Sequence, residues 1–109
     1  MEQIIYSAIT WVDEKNILGQ DYVNWLEKEH LPELSSQPGF NSVRRVKLEE
    51  LDDNNWQGYQ IIMEIENRED LETYFNSESR KKAFKKIKEF SNVHRAERFF
   101  GGIDIYLKK

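Results

Sequence analysis

Cysteine is missing from this 109-residue chain, proline occurs twice and glycine five times. Without thiols there is no disulfide framework and no thiolate metal site, which fits a reducing compartment. No glycine-rich loop of the kind that cradles phosphates is present, so a nucleotide cofactor is not expected. No apolar run approaches the roughly 20 residues of a membrane-spanning helix. A basic balance is lacking too: 16 Lys and Arg stand against 20 Asp and Glu, a formal charge of −4. Binding driven by nucleic-acid phosphates ordinarily shows a basic footprint. The opening stretch MEQIIYSAITWVDEK has no basic leader, and Ser7 and Thr10 interrupt its apolar run. It reads as a strand and not as a signal peptide. The expectation is a cytoplasmic protein with no membrane and no nucleic-acid partner.

What is present is enough chain for one core. A domain of this length buries roughly two thirds of its unfolded surface, so residues 1–109 are expected to form a single domain. Aromatic residues make up 13% of the chain and include three tryptophans. So many large rings in a small domain call for a second molecule or an apolar ligand to cover them.

The hydrophobic period changes along the chain. From Gln3 to Val12 it is two, with both faces mostly apolar, so this strand is expected to be covered on both sides. A helix follows over about residues 20–36. At 100° per residue, Tyr22, Val23, Leu26, His30 and Leu34 form one stripe. Pro32 cannot donate to the carbonyl of Lys28, so a bend or restart is expected near it. Strands follow over about 40–48 and 56–66. Tyr59, Ile61, Met63 and Ile65 mark the buried side of the latter. Asn67 is a candidate cap for a short helix carrying Leu71, Tyr74 and Phe75, and Ser77 for a helix over about 78–90. A last strand is expected from about Val93 to Leu107, broken at Gly101–Gly102. The order β-α-β-β-α-β is that of an α+β, ferredoxin-like, four-stranded antiparallel sheet with its helices on one face. The other face needs a cover, and a homodimer built across a two-fold axis would supply it.

His30 and Pro32, then Pro38-Gly39-Phe40, then Arg44 or Arg45 a few residues into the next strand, form a spaced set. This set resembles the EthD-like group of the dimeric α+β barrel superfamily, which also holds antibiotic-biosynthesis monooxygenases, muconolactone isomerases and small polyketide cyclases. The resemblance covers about residues 22–45. It implies a dimer of ferredoxin-like subunits with a cavity between sheet and helices. It also implies cofactor-free oxygenation, cyclisation or isomerisation of a small apolar or aromatic compound, or ligand binding without catalysis.

His30 is the candidate general acid or base, since an imidazole titrates near neutral pH. The alternative is a core histidine bonded to a backbone carbonyl or to Glu64. Tyr6, Tyr22, Trp25, Trp56 and Tyr59 are the candidate aromatic contacts to a substrate, and each can equally serve the core or a dimer interface. Arg44 is a candidate for an anionic substrate group, although an ordinary ion pair explains a buried arginine as well. His30 and His94 lack the close spacing of a metal pair, so neither a metal nor another cofactor is expected. The run RKKAFKKIK, Arg80 to Lys88, places its lysines opposite Phe84 and Ile87, as a solvated helix face does.

Overall fold

The computed structural model describes residues 3–109. Four strands form one antiparallel sheet: β1 (Ile4–Val12), β2 (Phe40–Leu51), β3 (Gln57–Ile65) and β4 (His94–Gly102), in the spatial order β2-β3-β1-β4. The helical segments are α1 (Ile17–Trp25), a π-helical turn (Leu26–His30), α2 (Leu31–Ser35), α3 (Arg68–Phe75) and α4 (Glu78–Lys88). This is the ferredoxin-like α+β arrangement that the element order implied.

Alternation along the two central strands sets the layers. Ile4, Tyr6, Thr10 and Val12 of β1 are buried, as are Tyr59, Ile61, Met63 and Ile65 of β3. Register places Tyr6 opposite Met63 and Thr10 opposite Tyr59. Tyr22, Leu26, Leu34, Leu71, Tyr74 and Phe90 from the helical layer complete one core with them. All helical segments therefore lie on one side of the sheet. On the other side Ile5, Ile9, Trp11 and Ile62 are only half covered within one chain. The two-sided burial expected of β1 is thus half met by a single chain.

The caps follow the side-chain chemistry. Asn67 accepts from Asp70 N at 2.9 Å, and Ser77 accepts from Arg80 N at 3.1 Å. Asn16 accepts from Leu18 N at 2.9 Å and starts α1 at Ile17, three residues before the expected position of about 20. Gly39 ends the descent from α2 with φ +78°, and a Cβ there would lie 2.1 Å from the Asp70 carboxylate. Only glycine meets both demands. At the far end, β4 stops at Gly102 and does not run on to Leu107. Gly102 pairs with Ile4, the first residue of β1, and Ile103 N–H adds a bond to Gln3 O at 3.3 Å. Beyond that the described residues add no rung to the ladder, and Ile105 and Leu107 are 75% and 90% exposed.

Candidate functional site

The first helical stretch restarts near Pro32, as expected, with α2 beginning at Leu31 and the proline in its first turn, and it widens into a π turn just before that. Leu31 N–H bonds to Leu26 O, a five-residue step. In an unbroken α-helix the Pro32 ring would meet the carbonyl of Lys28, and the wider turn opens that spacing. Such π turns are often found at functional positions. The consequence here is geometric. Residues five apart on an α-helix point about 140° away from each other, yet Trp25 and His30 stack with centroids 4.9 Å apart and planes 8° from parallel. The π turn has brought them onto one face.

The stack continues. Tyr22 lies 6.3 Å from Trp25 at 23°, and His94 lies 4.3 Å from Tyr22 at 22°. His94 Nδ1 is fixed 2.7 Å from Phe90 O, so that nitrogen carries the proton and donates. Tyr22 Oη is 3.1 Å from Thr10 Oγ1. The His30 ring, by contrast, hydrogen-bonds no protein group among the described residues, Glu64 included.

Two spaces meet at His30. Inside, between sheet and helices, is a cavity of about 30 Å³ bordered by Tyr6, Thr10, Tyr22, His30, Tyr74 and Arg98, among others. It exists partly because Ala8 and Ala96 contribute little bulk to that side of the sheet. A cavity needs roughly 10–15 Å³ to hold one water, while one that takes benzene measures about 150 Å³. Small solvent therefore fits as the walls stand, and an aromatic ring requires a wall side chain to move. Outside, between the π turn and α4, runs a groove of about 460 Å³ bordered by Trp25, Glu29, His30, Glu33, Lys82 and Glu89, among others. That volume is within the usual range for small-molecule sites. Among the described residues His30 alone borders both spaces.

Burial sets the protonation states. It lowers the His30 pKa to about 4; the Glu33 carboxylate opposes this and the Arg98 guanidinium adds to it. At neutral pH His30 is a free base. Burial also lowers the His94 pKa, against the pull of the Phe90 carbonyl. Tyr74 is pushed up to about 12, chiefly by burial, and Tyr22 is raised by the same cause. The cavity thus combines a neutral imidazole, the protonated phenols of Tyr22 and Tyr74, and one guanidinium.

The candidate residues separate into groups. His30, Tyr6 and Tyr22 border the cavity, and Trp25 backs His30 from the groove side. Arg44 does not join them. It projects from the opposite face of the sheet, its side chain 60% exposed, and pairs with Glu64 at 3.2 Å. Strand parity puts Arg45 on the helical side instead, where it bonds Glu27 at 2.9 Å and lies 5.1 Å from the Tyr59 ring centroid. Tyr59 itself donates to the Glu14 carboxylate. Trp56 sits at the β2–β3 turn, its N–H bonded to Asp52 Oδ1 at 2.8 Å. Thr10, Tyr74 and Arg98 were not among the candidates. Arg98 had a signal: it shares strand parity with Ala96 and His94 and lies opposite Ala8.

This architecture recurs in solved proteins of the dimeric ferredoxin-like class. A dimeric ferredoxin-like protein from an uncultured marine organism superposes with a TM-score of 0.71 at 10% identity, covering 98% of this chain and 100% of the other. An EthD family protein from Bacillus halodurans C-125 gives 0.63 at 11% identity, covering 88% and 96%. SnoaB, a cofactor-independent oxygenase from Streptomyces nogalater, gives 0.66 at 14% identity over the whole of both chains. At such identities the likeness is one of fold. The chain belongs to the family described as a domain of unknown function, DUF4286, whose profile matches residues 3–98. No curated protein sequence matches it. No helix among the described residues is long and apolar enough to cross a membrane.

Proposed function

We propose that the chain is a single dimeric α+β barrel domain that binds a small apolar or aromatic compound at His30, and that His30 moves a proton on it without a bound cofactor. The reaction classes are oxygenation, cyclisation or isomerisation, each of which begins by taking a proton from carbon or oxygen. One observation carries the reading. His30 is a free base at neutral pH, is held flat against Trp25, hydrogen-bonds no described protein group, and separates an outer groove from a buried cavity. A base whose lone pair is left unengaged in a partly dry site is suited to general-base work. The likeness in fold to a cofactor-independent oxygenase supports the same class. The partner is a second copy of the chain.

The experiment uses phenylacetone in D₂O as probe. Saturable shifts of the Tyr22 and Trp25 ring protons, which flank His30 and persist in its variants, report binding, and deuterium entering the activated CH₂ reports proton transfer. Exchange that is lost in His30→Gln, with binding kept, is the expected result. Binding without exchange in the wild type favours a non-catalytic ligand carrier. If His30→Ala changes neither binding nor exchange, His30 has no role in the site.

A further inference from the structure

The chain has six arginines, and they divide by surroundings. Arg44, Arg45 and Arg95 pair with Glu64, Glu27 and Asp52. Arg68, Arg80 and Arg98 pair with no carboxylate among the described residues; Arg68 lies apart, over Phe100, while Arg80 and Arg98 both rest on one ring. The Arg80 Cζ is 4.3 Å and the Arg98 Cζ 4.9 Å from the centroid of Phe84. Cation–π contact places a guanidinium but leaves its N–H donors unspent. Arg80 Nη1 reaches Phe75 O only at 3.5 Å, and its Nε is buried with no acceptor. A buried donor left without a partner calls for an explanation.

Phe84 and Arg98 border the His30 cavity. Phe84 and Arg80 also border a second hollow of about 310 Å³, whose remaining walls are Lys81, Lys85 and Lys88. The chain holds 20 Asp and Glu, yet none of those among the described residues borders either space. The groove on the other side of His30 is different, since Glu29, Glu33 and Glu89 line it among its lysines. One approach to the site is therefore free of acids and the other is not.

We infer that Arg98 and Arg80, gathered on Phe84, form the anion-recognition end of the His30 site, and that its ligand is a small aromatic carboxylate. This rests on the reading of His30 as a ligand site. A guanidinium presents paired donors that match the two oxygens of a carboxylate. The aromatic walls, Phe84, Tyr74 and Tyr22, suit a flat ring. Phe84 is half-buried and Arg98 exposed, so these are the wall residues free to swing outward and enlarge the cavity. The carboxylate takes the donors that Phe84 leaves unused, and the ring points inward to His30.

Benzoate and its neutral isostere benzamide test this, with His30 ring shifts and calorimetry on the full chain. Benzoate is expected to bind about tenfold more tightly, and Arg98→Gln or Arg80→Gln to weaken benzoate about tenfold while sparing benzamide. Arg98→Lys should keep part of the preference. Arg95→Gln, whose ion pair lies elsewhere, should change neither affinity. Retained amide dispersion in each variant checks that the fold survives. If both probes bind equally and Arg98→Gln changes neither, the anion site is refuted and the His30 site stands. If neither probe shifts His30, the ligand site at His30 fails and the inference with it.

Discussion

His30 is the residue whose protonation matters most, and burial is the main reason it is a free base at neutral pH. Trp25 supplies one face of that burial. Trp25→Ala should therefore raise the His30 pKa from about 4 toward the ordinary 6.5, as followed by the ring-proton shifts against pH. An unchanged titration would show that Trp25 does not shield it. The shift also couples to stability. The unfolded chain protonates His30 near 6.5 and the folded chain only near 4, so between those values the unfolded state holds more protons. The full contribution is present above about pH 6.5 and is lost as pH falls toward 4, an effect on the order of 3 kcal/mol at most. His94 is shifted the same way and adds to it. Urea melts at pH 7 and pH 4.5 should show a smaller difference in His30→Gln than in the wild type.

At the scale of elements, the sequence carried the strands and caps more fully than the site. Period-two alternation placed Tyr59, Ile61, Met63 and Ile65 on the buried face, and Asn67 and Ser77 were legible as caps because their side chains satisfy local backbone donors. The π turn was not legible, since a 100° wheel assumes the regular helix that Pro32 disturbs. The wheel set Trp25 apart from His30, and five-residue bonding brings them together. Arg98 was hidden for another reason: its place beside the cavity depends on pairing β4 with β1, a contact across some 90 residues. The Pro38-Gly39-Phe40 turn makes a sharper test of local dictation. Gly39→Ala forces a side chain into left-handed backbone and onto Asp70, costing at least about 1–2 kcal/mol and lowering Tm by about 5–10 °C. Gly101→Ala, with nothing within 4 Å of its Cβ, should leave Tm nearly unchanged. Equal shifts for the two variants would remove the steric account of Gly39.

For the whole molecule, the unsettled surface is the sheet face away from the helices. β1 sends Ile5, Ile9 and Trp11 to it, β3 sends Ile62, and the flanking strands add Val46 at 43% exposure and Phe99 at 54%. Contiguous apolar area of this kind on a soluble domain ordinarily marks an interface. The Arg44–Glu64 pair lies on the same face, so a second copy brings complementary charges along with apolar side chains. Two such faces related by a two-fold axis present the same patch to each other, so one surface covers itself. The exposed Ile105 and Leu107 beyond β4 add further apolar surface available to a partner. Native mass measurement should therefore return twice the 13.1 kDa of the chain. Ile9→Glu puts a carboxylate at the centre of the patch, where a like charge from the second copy meets it, and should return a single chain without loss of helical signal. Its effect on His30 separates two roles for the dimer. If benzoate still shifts His30 in the monomeric variant, the site is complete in one chain, as the placement of Tyr22, Tyr74 and Arg98 around a single cavity implies. A wild-type chain that runs as a monomer would mean that the half-covered face of β1 tolerates water, and the dimeric barrel would have to be abandoned.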